Sequence, residues 1–376
     1  MKLWLKLAFS FALLAVCLEI FILTPSPKER LSSNLPQTNL DNTNGKVLTD
    51  AGKLSYSGYS KYPSLNWDPS PLTSSFSDKL RYKMWDVYIL YTNNLTLLIA
   101  LADIGYIKNS FIISYEKKSS PKSYEKLIPP WESTLMSSTS LSGTTSYNSS
   151  SYSLLFSNLN PHTKSIKISS SDYNIDLIYS KNDNQESIFF FGPFNEDMSQ
   201  FFYAHKSYNY NVKGNVKIGN NEYILDNELG LMDWGRGVWP YQGKWMWASG
   251  NGIFDGKKIA LNMEELPKDF KSSKASEDCF FVDDKMIKLG VVNLNQKKGS
   301  DKVWEFKTVN VGPNEMFASI KGIFVAEESM VKKTNLWIIK SQIVQYFGEF
   351  EGEVETVDGI IRFKVRGLVE YHESRW

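Results

Sequence analysis

Apolar and polar residues alternate along much of this chain, and a period of two residues predicts β-strands rather than helices. From 208 to 218, tyrosine, valine, glycine and isoleucine hold the even positions, while asparagine and lysine hold the odd ones. This stretch predicts one long strand with a polar face, closed by a turn at 219–221. A similar alternation from 361 to 366 follows a predicted hairpin turn at 357–360.

Short segments of the same kind recur over the whole body of the chain, separated by Gly, Pro, Asn and Ser. Strands are predicted at Val87–Thr92, Leu95–Asp103, Phe111–Tyr115, Tyr152–Ser157, Ser165–Ser169, Ile175–Tyr179, Lys244–Gly250, Lys258–Asn262, Asp278–Val282, Met286–Val292, Trp304–Thr308, Ser319–Val325 and Leu336–Tyr346. Many short antiparallel strands are typical of barrels or sandwiches. The pattern therefore predicts an all-β chain, and 376 residues leave room for two barrels.

The N-terminus carries a different signal. Lys2 and Lys6 precede an apolar run that ends at Thr24, so residues 1–24 are predicted to be a signal peptide or a signal anchor. Residues 25–52, rich in Ser, Asn, Thr and Pro, are predicted to form a disordered linker. The body is then expected in the lumen or outside the cell, with membrane contact only through this segment.

Two sequons, at Asn94 and Asn148, are predicted to carry glycans in such a compartment. Lys and Arg number 42 against 41 Asp and Glu, a balance that gives no general attraction to nucleic acid. Two cysteines and three widely separated histidines provide no spacing for a metal site, and no cofactor motif is present. We therefore expect neither a metal nor a cofactor.

Candidate chemistry concentrates in one segment. Four of the 11 tryptophans lie between Asp233 and Trp247, in a Gly-rich stretch that we read as a turn leading into a strand. Large apolar walls with a few polar groups are what a small-molecule cavity needs. The predicted ligand-binding residues are Trp234, Arg236, Trp239, Tyr241, Trp245, Trp247 and Asn262.

Each of these residues also has a structural interpretation. Asp233 is either a general acid or an anchor for a ligand hydroxyl, or else a turn residue that pairs with Arg236 or accepts backbone N–H groups. Trp245 and Trp247, two apart and so on one face of a strand, either line a cavity or fill a core. Glu277 and Glu370 either face a cavity or lie on a solvated face, and we expect the solvated face.

Short blocks in a fixed order carry a resemblance. They include Lys83-Met84-Trp85-Asp86, the run from Phe201 to Lys206, and Gln345-Tyr346-Phe347-Gly348. In this order the chain, from about residue 53 to residue 376, resembles the domain of unknown function 2804 family. That resemblance implies two consecutive lipocalin- or calycin-like antiparallel barrels, at 53–210 and 211–376.

The same resemblance reaches, at a distance, a superfamily that includes carotenoid hydratases and tocopherol cyclases, and it implies an apolar ligand. The acid motif of those enzymes, a His or Asp beside Trp-Gly, has its counterpart here only in Asp233-Trp234-Gly235, with no histidine beside it. Three functions follow as hypotheses. The chain binds a lipid or isoprenoid-like molecule, or it is a cofactor-independent hydratase or cyclase with Asp233 as general acid, or it is a carbohydrate-binding or structural surface protein.

Overall fold

A computed structural model describes residues 38–265, 276–310, 317–336 and 339–375. The predicted leader at 1–24 and the first part of the predicted linker lie outside these residues. Within the described ranges, no helix combines the length and apolar character needed to cross a bilayer. Among these described residues, helical structure is confined to a 3-10 turn, Ser70–Leu72, and to α1, Phe76–Arg81. The N-cap residue of α1, Ser75, accepts a hydrogen bond from the Asp78 amide.

The first half of the chain forms one antiparallel sheet. Its strands are β1 (Gly58–Ser60), β2 (Tyr82–Tyr91), β3 (Leu95–Asp103), β4 (Lys108–Glu116), β5 (Lys122–Ile128), β6 (Thr134–Leu135), β7 (Gly143–Asn148), β8 (Tyr152–Asn160), β9 (Thr163–Ser170), β10 (Tyr173–Ser180), β11 (Ile188–Pro193), β12 (Phe201–Ile218) and β13 (Asn221–Val238). The order across it is β5-β4-β3-β2-β13-β12-β10-β9-β8-β7-β6, with β11 also on β12 and β1 on β11.

The second half forms another antiparallel sheet. Its strands are β14 (Gln242–Phe254), β15 (Lys257–Glu265), β16 (Cys279–Val282), β17 (Lys285–Lys288), β18 (Val291–Gln296), β19 (Val303–Asn310), β20 (Ser319–Leu336), β21 (Ile339–Thr356) and β22 (Gly359–Arg375). Their order is β17-β16-β15-β14-β22-β21-β20-β19-β18.

Both sheets curl so that their edges approach each other. In the first sheet the edge strands β5 and β6 are consecutive in the chain, and in the second sheet so are β17 and β18. Side chains reach across the first barrel: the Tyr124 and Tyr152 rings stack at 5.1 Å, and the Ser114 and Tyr173 hydroxyls lie 3.4 Å apart. The predicted all-β fold of two consecutive barrels is confirmed, with each barrel a curled sheet around its own apolar core.

The structure places two domain limits differently from the sequence. The predicted boundary at 210/211 falls inside β12, which pairs with β13 along its length, and the chain changes sheet only between Val238 and Gln242. The end of the predicted linker also belongs to the body. Val47 and Leu48 are buried because their apolar side chains complete the core of the first barrel. The Val47 amide also donates a hydrogen bond to the Asn66 carbonyl.

Partway along strand β12, a bulge changes the side of the sheet to which alternate side chains point. The register with β13 shifts between Ser207 and Tyr210, and Asn209 adopts a left-handed φ of 56°. The alternation predicted for 208–218 is therefore broken at its start. Tyr208 points to the second sheet, where its hydroxyl contacts Asn262, while Tyr210 lies in the core of the first barrel.

Candidate functional site

Two rows of side chains face each other where the sheets meet. On the first sheet, Lys206 of β12 lies directly opposite Asp233 of β13. On the second sheet, Trp247 of β14 has Glu264 of β15 on one side and Glu370 of β22 on the other. Residues directly opposite on adjacent strands share a face, so each row presents its side chains together. With Glu277, which comes just before β16, these residues form what we call the intersheet cluster.

Lys206 joins the two sheets. Its Nζ lies 2.6 Å from Glu277 Oε1 and 3.6 Å from Asp233 Oδ2, and it sits 4.6 Å from the centre of the Trp247 ring. Although burial opposes its charge, the carboxylates of Asp233 and Glu277 raise the pKa of Lys206 above its ordinary value. It is therefore an ammonium held between carboxyl groups and an indole face.

The cluster holds more carboxyl groups than one ammonium can neutralise. Burial raises the pKa of Asp233 and of Glu277 despite the opposing charge of Lys206. Burial also raises the pKa of Glu264 well above its ordinary value, and the charge of Glu277 adds to that rise. Burial raises the pKa of Glu370 too, against hydrogen bonds from Gln345 and Trp245. Burial in the cluster therefore favours the protonated, uncharged form of these carboxyl groups.

Glu277 has one oxygen available. The residue is only 1% exposed, and Oε1 accepts from Lys206, while Oε2 has no hydrogen-bond partner among the described residues. Asp233 instead accepts a long contact of 3.5 Å from the Trp85 indole. Buried polar atoms normally have partners, so an orphaned carboxyl oxygen marks a position for a proton or a ligand.

Indoles wall the cluster. Trp239 packs on Trp85 and on Trp245 with ring centres 5.6 Å and 5.2 Å apart, and Phe202 lies 5.2 Å from Trp239. Gly235 permits this wall, because a Cβ there would lie 2.1 Å from the Trp85 ring. The predicted shared face of Trp245 and Trp247 is present, and both rings border the apolar core between the sheets.

Asn262 positions two members of the cluster. Its Oδ1 accepts from the Trp247 indole at 2.8 Å and from the Tyr208 hydroxyl at 2.9 Å, and its Nδ2 donates to the Glu277 carbonyl at 2.9 Å. The amide oxygen and the amide nitrogen, through which Asn262 would bind a ligand, are thus both engaged with protein groups. Asn262 therefore orients Trp247 and Glu277.

The other predicted residues are distributed differently. Asp233 and Arg236 lie within strand β13 and not in a turn, and three residues of separation put them on opposite faces. The ion pair between them, one of the alternatives for Asp233, is therefore wrong. Arg236 is fully buried inside the first barrel, where it pairs with Asp86 at 2.8 Å and lies 4.2 Å from the Trp234 ring.

Trp239 and Tyr241, both predicted to bind a ligand, are buried in different places. Trp239 belongs to the intersheet wall, whereas Tyr241 packs with Leu80 and Tyr106 in a small separate cluster. The structure thus brings Asp233, Trp239, Trp245, Trp247 and Asn262 together, and it places Trp234, Arg236 and Tyr241 elsewhere.

Sequence reasoning missed most of the charged members. Glu277 is buried and Glu370 partly buried, so neither lies on the solvated face that we expected. Lys206 is absent from the predicted site residues. The sequence nevertheless contains a signal for Lys206. It alternates with Phe202 and Ala204 on one face of the strand, and a lysine on an apolar face needs a charged or polar partner.

Solved structures with the same architecture include CghA, which is 8% identical with a TM-score of 0.52, covering 78% of this chain and 88% of that one. A putative AttH from Nitrosomonas europaea is 10% identical, covers 80% and 95%, and has a TM-score of 0.45. Kievitone hydratase from Nectria haematococca is 13% identical, covers 77% and 88%, and has a TM-score of 0.48. At 8% identity, the likeness to CghA concerns the fold alone.

No curated protein matches the chain significantly by sequence. The sequence profile of one family does match, and it covers residues 37–376, which include every member of the intersheet cluster. That family is described as a domain of unknown function. The chain therefore belongs to the domain of unknown function 2804 family, as its short sequence blocks predicted.

Proposed function

We propose that the protein is a cofactor-independent enzyme that transfers protons to and from an apolar, unsaturated small molecule bound in the intersheet cluster. The observation that carries this proposal is the excess of buried and partly buried carboxyl groups, Asp233, Glu264, Glu277 and Glu370, over the single ammonium of Lys206. Burial raises the pKa of each of them, which is the property that a general acid working near neutral pH requires.

The positions of Asp233 and Glu277 support different roles. Glu277 Oε2 is buried without a partner among the described residues, so a proton on it can be delivered to a bound molecule. Lys206 lies within 3.6 Å of both carboxyl groups, and one ammonium neutralises only one of them, so one can hold a proton while the other is a carboxylate. The oxygens of Asp233 make only long contacts, 3.5 Å to the Trp85 indole and 3.6 Å to Lys206, which leaves Asp233 able to accept a proton. We assign Glu277 as the donor and Asp233 as the acceptor, whereas the sequence suggested Asp233 as the acid.

The reaction needs no reagent other than water. Protonation of an alkene carbon by Glu277 breaks the π-bond and leaves a carbocation, which then captures either water or a second π-bond of the same molecule. Loss of a proton to Asp233 gives a hydrated or a cyclised product. The faces of Trp85, Trp239 and Trp245 stabilise the cation by cation–π attraction, worth about 0.5–2 kcal/mol for each ring.

Deuterium incorporation tests this proposal across a whole class of candidate substrates. The purified protein is incubated in D₂O with a panel of isoprenoid alkenes and prenylated phenols, and the masses of the recovered compounds are measured by mass spectrometry. We expect at least one compound to gain deuterium or the mass of water, and Glu277→Gln and Asp233→Asn to reduce the rate about 10²–10⁴-fold.

The matched control is Glu196→Gln, which changes an exposed glutamate outside the cluster and should leave the rate unchanged. A compound that binds saturably and never exchanges would mean that the cluster serves binding alone. An exchange rate that survives both cluster substitutions would remove the assigned roles.

The cellular setting stays a proposal of its own. Asn94 and Asn148 are both exposed at hairpin turns, where an oligosaccharide can be attached. We propose entry into the secretory pathway through residues 1–24. A loss of mass on treatment with an endoglycosidase, absent in Asn94→Gln/Asn148→Gln, would support it, and an unmodified mass would contradict it.

A further inference from the structure

A second polar centre lies inside the first barrel, apart from the intersheet cluster. It comprises Asp86, Lys164, His205, Trp234 and Arg236, which we call the inner cluster, and all five are buried. Trp234 lies directly opposite Asp86 on one side and directly opposite His205 on the other. These three side chains therefore form one row on the inner face of the sheet, with Arg236 two positions along β13.

Three hydrogen-bond donors in this centre have no protein acceptor among the described residues. They are the Trp234 indole N–H, the Arg236 Nε–H and His205 Nε2. His205 Nδ1 lies 2.8 Å from the Ser140 hydroxyl, and when that nitrogen accepts, Nε2 carries the hydrogen. Burying a donor without an acceptor is unfavourable, so three together point to an acceptor that the protein itself does not supply.

The charges around these donors favour an anion. Arg236 pairs with Asp86 at 2.8 Å, which leaves Lys164 as a further cation. Lys164 is 0% exposed and donates to two carbonyl oxygens, at 2.7 Å to Ser140 and 3.3 Å to Asn160, and it makes no ion pair within the described residues. Burial lowers the pKa of Lys164 to about 7, so a nearby anion would hold it in the charged form.

The residues around the inner cluster indicate that the remainder of the ligand is apolar. The walls are the aromatic and aliphatic residues of the first core, and His205 itself stacks on Phe189 at 4.0 Å. The loop between β6 and β7 covers the centre, since Arg236 Nη2 donates to the Ser137 carbonyl at 2.6 Å. We propose that the inner cluster is a binding site for a carboxylate carried on an apolar body, held by Trp234, His205 and Arg236 and distinct from the proposed reaction site.

The test compares straight-chain carboxylates from acetate to decanoate with the alcohols of the same length, by isothermal titration calorimetry on the full chain. We expect one carboxylate to bind with a 1:1 ratio and its alcohol to bind at least about tenfold more weakly, as loss of a charged acceptor predicts. Trp234→Phe and His205→Phe should each weaken that binding by about tenfold.

Trp247→Phe is the matched control, because it removes an indole N–H from the other cluster and should leave carboxylate binding unchanged. If His205→Phe does not fold, Trp234→Phe makes the same test, because it keeps an aromatic ring and removes the N–H. The proposal is overturned if no carboxylate binds, if the alcohol binds equally well, or if Trp234→Phe and Trp247→Phe behave alike. None of these outcomes depends on turnover, so the proposed reaction is tested separately.

Discussion

The intersheet cluster and the inner cluster occupy opposite faces of the same two strands and have opposite charge balances. Lys206 and Asp233 face the second sheet, whereas His205, Trp234 and Arg236 face the first core. One cluster gathers carboxyl groups around a single ammonium, and the other gathers basic groups around the single carboxylate of Asp86. Adjacent residues of β13 thus serve different chemistry, and the two-residue period of the strand keeps them apart.

The two clusters should differ most in the stability that is lost when the cation of each, Arg236 or Lys206, is removed. Arg236→Met leaves Asp86 buried without its partner, and we expect the free energy of unfolding to fall by about 3–5 kcal/mol. Lys206→Met should cost less, because burial already raises the pKa of Asp233 and Glu277 and both can take up protons. Urea denaturation of both variants measures this, and equal losses would contradict the distinction.

The next largest effect is expected from a steric clash at Gly235, beside the intersheet cluster. Gly235→Ala places a Cβ 2.1 Å from the Trp85 ring, so Trp85 must leave its place beside Asp233. We expect a loss of about 1–3 kcal/mol in unfolding free energy, as for overpacking in general. Gly243→Ala is the control, since its nearest atom is the Ser374 hydroxyl oxygen at 3.8 Å. Thermal unfolding should leave this control close to the parent chain.

The pH dependence of stability should have two limbs of opposite sign. Burial raises the pKa of Glu370, so above its unfolded value the folded chain holds an extra proton and stability falls as the pH rises through that window. Burial lowers the pKa of Lys83 and Lys164 to about 7, so between about 7 and 10.5 the unfolded chain binds more protons and stability rises with pH.

Single substitutions assign these limbs. Glu370→Gln should flatten the falling limb in the acidic range, and Lys164→Met should reduce the rising limb between neutral and alkaline pH. Chemical denaturation at a series of pH values follows both. If the two variants leave the profile of the parent chain unchanged, the perturbed protonation states assigned to these clusters are wrong.

The smallest expected effect concerns orientation. Trp247→Phe removes the N–H that donates to Asn262 at 2.8 Å and keeps an aromatic ring beside Lys206. We expect the free energy of unfolding to fall by about 1 kcal/mol, and the rate of the proposed deuterium exchange to be lower than that of the parent chain. An exchange rate equal to that of the parent chain would place Trp247 outside the reaction.

The sequence predicted the fold better than the site, for physical reasons. Alternation and turn residues are local, so the strands around 208–218 and 361–366 and their hairpin turns were correctly predicted. The bulge at Asn209 could not be read from alternation, because a single left-handed residue shifts the face of everything after it. Lys206 and Glu277 are 71 residues apart and meet only through the packing of two sheets, which no local pattern encodes.

The curl of each sheet also bears on the order in which the chain acquires its structure. Strand β2 pairs with β13, so Tyr82 meets Val238, and β14 pairs with β22, so Gln242 meets Arg375. Each sheet therefore consists of two ladders that its last strand alone connects. Contacts between positions so distant in sequence form slowly. During synthesis on the ribosome, each barrel must wait, half assembled and with open edges, until its final strand emerges, which makes this interval the time of greatest need for a chaperone.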